Sequence, residues 1–283
     1  MAQVTARTNW TIEDAHYDAF RAFLEEASGI VLGESKQYLV ASRLGPIMAQ
    51  HQLPGLGELV ERLKRPGSNN LRNQVVEAMT TNETQFFRDV YPFEILRSHI
   101  FPDFQKRRVL QPRIWSAACS SGQEAYSLSM CLQEFNASGA GHLEAEIIGT
   151  DISAAMVEKA AKGRYRSSAV ARGLSVERRD RFMTQVDADT WEVRPEVRRR
   201  VSFRVHNLLE GFGLLGRFDL IFCRNVLIYF SQDSRADILD RMAKVLNPGG
   251  YLVVGASESL ARQASQYEMV RCPQGVVYRL RGK

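Results

Sequence analysis

The 283-residue chain predicts an α/β fold, with a doubly wound, mostly parallel sheet closed by a C-terminal antiparallel hairpin and preceded by an all-helical unit. Three observations carry this. Up to about residue 80 the apolar residues recur at helical spacing. After Pro112 short apolar runs alternate with helical patterns, the signature of βαβ units. The chain then ends in two short runs, Tyr267–Cys272 and Gly275–Leu280, set around Pro273-Gln274-Gly275, which read as a hairpin.

The helices come first. Thr11 with Asp14 reads as a capping box, followed by Tyr17, Phe20, Leu24 and Ala27 on one face, and Ser28-Gly29 as a stop. Lys36 to Gln52 is a second helix, with Tyr38, Leu39, Leu44, Ile47 and Met48 apolar, broken by Pro54-Gly55. Leu56–Leu63 and Leu71–Met79 follow, separated by Pro66-Gly67-Ser68. Tyr91 to Phe104 reads as one further helix.

The expected strands are Arg113–Ala118, Ala145–Thr150, Val201–Val205, Phe218–Cys223 and Tyr251–Gly255. Two helical stripes lie between them: Ala125, Leu128, Leu132 and Phe135, then Ile238, Leu239, Met242, Val245 and Leu246. Residues 163–200 break the alternation and read as an insertion, with a helical run at Val176–Met183 and a strand at Thr190–Val193. The domain reading is 1–80 helical, 81–112 linker and lid, and 113–283 catalytic, with the insertion at about 163–200.

Composition is that of a globular protein, 45% hydrophobic and 24% charged. No apolar run approaches the ~20 residues that span a bilayer, and the N-terminal stretch lacks a signal-peptide core, so cytoplasmic residence is expected. Cys119, Cys131, Cys223 and Cys272 form no C-x-x-C pair and read as reduced thiols. Net charge is +5, yet residues 162–205 alone hold twelve basic against six acidic residues. Such a field suits an acidic partner, or is simply a solvated surface.

In an open α/β sheet, ligands bind beyond the carboxyl ends of the strands. The first strand delivers Ser116-Ala117-Ala118-Cys119-Ser120-Ser121-Gly122-Gln123-Glu124. Small residues there admit a ligand to the backbone, and Glu124 is placed to meet a cationic one; a plain strand-to-helix turn is the alternative. The run is not G-x-G-x-x-G, so the dinucleotide fingerprint is absent. Asp151, in Gly149-Thr150-Asp151-Ile152-Ser153, can accept from two ribose hydroxyls or can cap the next helix. Phe218 to Phe230 delivers Arg224 and Asn225, then Tyr229 at the edge of an apolar patch, where it is a ligand contact or part of the core. Upstream, Thr80 to Arg88 sets polar side chains beside Phe86 and Phe87, as a lid or a linker.

In combination, T-x-N-E-T-x-F-F-R, A-x-x-S-G-x-E-x-Y-S, G-T-D-I-S, F-D-L-I-F-C-R-N-V-L-I-Y-F and L-x-P-G-G-Y-L resemble the chemotaxis receptor methyltransferase family, CheR, over nearly the whole chain. The resemblance implies a Rossmann-like class I methyltransferase domain, an N-terminal all-helical domain and a small inserted β subdomain. It implies S-adenosylmethionine as cofactor, with S-adenosylhomocysteine as product. The implied contacts are Asn82, Thr84, Arg88, Glu124, Asp151, Asn207, Leu208, Arg224 and Asn225, the last four on the adenine side. Arg88 and Tyr229 are implied to lie closest to the transferred methyl.

The implied reaction is protein-glutamate O-methylation of chemoreceptor cytoplasmic helices, for chemotactic adaptation, at membrane-bound receptor arrays. No metal, no nucleic-acid partner, no membrane insertion and a monomer are expected. Gln123 and Ala125 depart from a second acidic residue and a Pro found in many members. Met183 to Val193 lacks the glycine of members that dock a receptor C-terminal pentapeptide, so no such tether is expected. Lys36, Arg43, Arg62, Lys64, Arg65 and Arg72 are candidate contacts to an acidic receptor helix.

Two other readings compete. A nucleic-acid or small-molecule methyltransferase would suit the basic charge, but no Pro-Pro-Tyr type motif is present and no Pro precedes Cys223. A non-catalytic adaptor is disfavoured by retention of Arg88, Glu124, Asp151 and Tyr229.

Overall fold

The computed structural model describes residues 12–260 and 265–282. Thr11 of the expected capping box lies outside them. The chain forms two compact units.

The first unit holds residues up to 81 together with 229–231. Its helices are α1 (Asp14–Ser28), α2 (Gln37–Gln50), α3 (Leu56–Lys64) and α4 (Asn69–Met79). α1 ends where Gly29 turns left-handed at φ 76°. Its buried face is Tyr17, Phe20, Phe23 and Leu24, so Phe23 joins the expected stripe while Ala27 is only half-buried. α2 buries Val40, Leu44 and Met48; Tyr38, expected on the apolar face, is 66% exposed with Lys36 over its ring. α3 and α4 bury Leu56, Leu59, Val60 and Leu63, and Leu71, Val75, Val76 and Met79.

Three of the expected receptor-contacting cations are committed inside this unit. Arg43 donates to the carbonyls of Met79 (2.7 Å) and Thr80 (3.0 Å), capping the end of α4. Arg62 donates to the His51 carbonyl, and Arg72 to that of Leu63 while its guanidinium covers Phe23 at 5.0 Å. Lys36, Lys64 and Arg65 are exposed.

The second unit opens on one helix in three parts: α5 (Tyr91–Ile95), a π turn (Leu96–Ile100) and α6 (Phe101–Lys106). A pattern that counts only apolar spacing expects one uniform helix here and cannot see the extra residue of a π turn. The chain then runs β1 (Arg113–Ala117), α7 (Gln123–Ala137), β2 (Glu146–Asp151) and α8 (Ala154–Lys162). The insertion follows: β3 (Arg164–Arg166), α9 (Ser167–Ala171), α10 (Val176–Phe182), β4 (Met183–Gln185), β5 (Thr190–Val193) and α11 (Pro195–Arg198). β6 (Val201–Val205), β7 (Phe218–Cys223), α12 (Gln232–Val245), β8 (Leu246–Val254), β9 (Tyr267–Cys272) and β10 (Gly275–Leu280) complete it.

The main sheet has seven strands in the order β6-β2-β1-β7-β8-β10-β9. The first five are parallel, and β10 is antiparallel to both β8 and β9. This is the expected fold class, and the inserted β3-β5-β4 sheet is antiparallel. The chain moves outward from β1 through β2 to β6, then returns to β7 on the other side of β1. The topological switch point therefore falls between β1 and β7.

Trp115 of β1 is fully buried, donates to the Thr150 hydroxyl at 2.9 Å and stacks on Phe218. α7 is buried on nearly every side, including Tyr126, Ser127, Ser129 and Met130 beyond its expected stripe. Its serines are satisfied by the carbonyls of Gln123 and Val197. β8 starts at Leu246, earlier than expected, because Leu246 already pairs with Phe218. Leu220 then pairs with Tyr251, so Asn247 to Gly250 bulge out, with Gly249 left-handed at φ 71°.

Candidate functional site

The site is built in the second unit, beyond the carboxyl ends of β1, β2 and β7. After β1 the chain takes three left-handed residues within five, Ala118 (φ 55°), Ser120 (φ 50°) and Gly122 (φ 90°). For the two non-glycines this conformation is strained by about 1 kcal/mol or more each, and persists only where neighbours hold it. They do: Cys119 N–H donates to the Thr150 carbonyl (2.8 Å) and Gly122 N–H to that of Cys119 (3.0 Å). A Cβ on Gly122 would lie 2.8 Å from Ala160 Cβ and 3.0 Å from the Phe203 ring. Glycine is required there both by φ and by contact.

Asp151, at the end of β2 and 5% exposed, is fixed by two backbone amides. Ser120 N–H donates to Oδ2 at 2.7 Å and Ser153 N–H to Oδ1 at 2.9 Å. The capping role falls to Ser153 rather than Asp151: the Ser153 hydroxyl accepts from Met156 N–H. Asp151 ties the β1 turn to the β2 end. A carboxylate has about four lone-pair directions, so it can still accept from a ligand.

Glu124, in the first turn of α7, accepts from the Ser116 hydroxyl (2.8 Å) and from Arg224 (2.8 Å). Arg224 also donates to Asp89 (2.7 Å) and to the Arg88 carbonyl (2.9 Å). Its side chain is 1% exposed and lies near the Phe93 ring. The guanidinium is therefore an internal tie between α7 and the lid run. One guanidinium between two carboxylates leaves one negative charge in excess at the strand ends.

Arg88 donates to the Glu83 carbonyl at 3.0 Å and is half-buried. It sits in a run where Phe87, Asp89 and Val90 all have positive φ, at 50°, 67° and 53°. For the β-branched Val90 this is a genuine outlier. Phe87 N–H is anchored on the Ser127 hydroxyl (3.0 Å), and the Asn82 carbonyl accepts from Ser120 Oγ (2.9 Å). Thr84 lies between them, half-buried.

Past β6, the Asn207 side chain accepts from Leu209 N–H (3.0 Å), and Leu208 is buried with its carbonyl bound by Arg241. Past β7, Asn225 is left-handed at φ 58°. Glu258 explains how it is held. Its carboxylate accepts from the backbone amides of Asn225 (2.8 Å), Val226 (3.0 Å) and Gly255 (2.7 Å). Sequence reasoning missed Glu258 and Asp89. The available signal was an acidic residue just past the β8 end in Gly255-Ala256-Ser257-Glu258, and one beside the lid arginine.

Tyr229 belongs to the first unit, where its carbonyl accepts from Val31 N–H at 2.8 Å. Nine of the ten expected site residues thus lie together in one unit, and Tyr229 does not. Cys119 and Cys223 are fully buried, and burial pushes both thiols well above their ordinary value. Neither is a nucleophile at neutral pH. No group of three or more metal-ligating side chains exists among the described residues, and no described helix is long and apolar enough to cross a membrane.

This donor set fits S-adenosylmethionine. Asp151 offers a held carboxylate for hydroxyls, the Glu124–Arg224–Asp89 cluster an excess negative charge for a cation, and Asn207 with Leu208 an amide beside an apolar face.

The comparisons agree. Residues 15–80 match the model described as "CheR methyltransferase, all-alpha domain", and residues 82–276 "CheR methyltransferase, SAM binding domain". The chain is 51% identical over 265 residues to "Chemotaxis protein methyltransferase Cher2" of Pseudomonas putida, covering 93% of this chain and 96% of that one. It is 50% identical to "Chemotaxis protein methyltransferase 1" of Pseudomonas aeruginosa, over 94% and 98% of the two chains. It is 47% identical to "Chemotaxis protein methyltransferase 1" of Vibrio cholerae, over 96% and 98%. A match of this length and identity means that the chain belongs to the CheR methyltransferase family.

Proposed function

We propose that this protein transfers the methyl group of S-adenosylmethionine to glutamate side chains of chemoreceptor cytoplasmic helices, giving methyl esters for chemotactic adaptation. The observation that carries the cofactor half is the pair of fixed carboxylates, Asp151 and Glu124, beyond the carboxyl ends of β2 and β1. Family membership carries the substrate half.

When bound, S-adenosylmethionine supplies a sulfonium methyl that is already a strong electrophile. The Asp151 carboxylate would hold the ribose hydroxyls, and Glu124, held in place by Ser116 and Arg224, would face the cationic end. Asn82, Thr84 and Arg88 close over it from the lid run, and Asn207, Leu208 and Asn225 border the adenine. A substrate glutamate has an ordinary pKa of about 4.3 and is ionised at neutral pH. The chain therefore supplies no base and no metal. Its contribution is to align the carboxylate oxygen and exclude water. Arg88 and the Tyr229 hydroxyl orient that carboxylate, the tyrosine as the milder partner that leaves it nucleophilic.

The receptor is gripped without a C-terminal pentapeptide tether. In support, the β4–β5 connection is a short turn closed by Val186 N–H to the Thr190 carbonyl at 2.9 Å, with no glycine from Met183 to Val193. Lys36, Lys64 and Arg65 are the cations left exposed to meet an acidic helix. The protein acts as a monomer at membrane-bound receptor arrays.

The test is methyl transfer from labelled cofactor to receptor cytoplasmic fragments, against DNA and RNA controls. Label is expected on receptor alone, and Tyr229→Phe and Arg88→Ala should each lose activity. Full activity in both variants removes their assigned role; label on nucleic acid removes the substrate assignment.

A further inference from the structure

The inserted segment between β2 and β6 touches both of the segments that border the site. We propose that Tyr165 and Gly173 are positioning residues: through them the insertion holds the 118–122 turn and the 82–88 run in cofactor-binding geometry. This rests on the reading above, that those two segments border the cofactor.

Tyr165 lies on β3 and is fully buried. Its hydroxyl donates to the Ser121 carbonyl at 2.6 Å, inside the strained turn after β1. Burial, then the Tyr126 and Cys119 side chains, hold its phenol well above the ordinary value, so it remains a donor. The same ring meets Phe86 edge-on at a centroid distance of 5.0 Å. Phe86 stands between Thr84 and Arg88 in the lid run. One side chain thus bonds one site segment and packs against the other.

Gly173 reaches the lid run directly. A Cβ there would collide with the Phe86 carbonyl oxygen and lie 3.0 Å from the Phe86 nitrogen. These are backbone atoms, and the next residue, Phe87, is pinned on its amide by Ser127. Gly173 does not have the left-handed φ of Gly122, so the contact alone excludes a side chain. Arg172 also pairs with Glu83 at 2.6 Å, but both side chains are more than half exposed, so that pair contributes little. Arg178, whose guanidinium covers the Phe87 ring at 3.8 Å, adds a further link to the lid run; of these residues Tyr165 reaches both segments.

A tyrosine that merely fills the core would be replaceable by phenylalanine without loss, which makes Tyr165→Phe the deciding variant. The experiment measures S-adenosylhomocysteine binding by calorimetry on the full chain, with melting temperature and receptor-methylation kinetics alongside. Tyr165→Phe should weaken cofactor binding roughly three- to tenfold, the worth of one net hydrogen bond. KM for the cofactor should rise in parallel, with KM for receptor and kcat at saturating cofactor unchanged. Gly173→Ala should weaken it further. Val193→Ala, a cavity in β5 that bonds neither segment, should lower the melting temperature and leave cofactor affinity intact. If Gly173→Ala does not fold, Tyr165→Phe still decides. A Tyr165→Phe affinity within about twofold of wild type, less than one such hydrogen bond, overturns the proposal. So does a Val193→Ala variant that weakens binding as much. Wild-type protein that binds no S-adenosylhomocysteine sinks the site reading itself, and the coupling with it.

Discussion

Asp151 and Glu124 are both carboxylates at strand ends, but their surroundings assign them different tasks. Asp151 is held by the neutral amides of Ser120 and Ser153. Asp151→Asn turns one acceptor into a donor facing those amides. Cofactor affinity should fall roughly tenfold or more, since hydrogen bonds to a charged group contribute about 1.5–3 kcal/mol, and calorimetry reads it. Glu124 shares its charge with Arg224, whose side chain is 1% exposed. Arg224→Met leaves Glu124 buried without its partner and should cost about 3 kcal/mol in urea unfolding, the low end for breaking a buried pair because Asp89 is partly exposed. Adding Glu124→Gln to that variant should restore part of the loss, and no restoration would mean that the pair is not coupled. His206 gives a pH signature. Burial lowers its pKa from the ordinary value, so the folded state binds fewer protons than the unfolded. Its contribution is present above about pH 6.5 and is lost as pH falls through the lowered folded value. Melting temperature should therefore decline between pH 7 and 5 less steeply in His206→Gln than in wild type.

At the scale of elements, the β1–α7 turn is the most constrained piece of the site. Gly122→Ala adds a left-handed alanine whose Cβ meets Ala160 and Phe203. It should cost about 1–3 kcal/mol and abolish high-affinity cofactor binding, seen as a lower urea midpoint and a flat titration. The strands were legible because a buried parallel strand is a short apolar run bounded by polar turns, and β6 and β7 coincide with their expected ranges. The helix faces were legible where one side meets solvent, as in α12. α7 was not, because the sheet and the insertion cover it on several sides and its buried serines look polar in sequence. The β8 bulge and the π turn were hidden because both are changes of residue count that leave apolar spacing nearly intact. Within the site, Asp151 and Glu124 could be read from their places after strands. Glu258 could not, because its partners are backbone amides brought close only by the fold of β7 against β8. The internal ties of Arg224 to Glu124 and Asp89 could not be read either, since sequence order does not say whether a side chain after a strand points outward or inward.

At the scale of the whole molecule, the charge is uneven, and much of it is internally engaged. Arg178 and Arg97 share Glu134, and Arg198 pairs with Glu192. On the helical unit, Arg43, Arg62 and Arg72 cap or bridge backbone. The residual exposed cations predict a receptor interaction that weakens with salt. Raising ionic strength from 0.05 to 0.5 M should raise KM for receptor severalfold while leaving S-adenosylhomocysteine affinity nearly constant, on the order of the screening expected for exposed charges. A receptor KM indifferent to salt would argue for apolar docking instead. The most direct test of the account is to incubate the protein with isotopically labelled S-adenosylmethionine and receptor cytoplasmic domains, then map the product by mass spectrometry. The account predicts base-labile methyl esters on glutamates of the receptor helices, formed roughly tenfold or more slowly with Asp151→Asn at limiting cofactor. Label on other side chains, on nucleic acid, or on no receptor in the panel would contradict it.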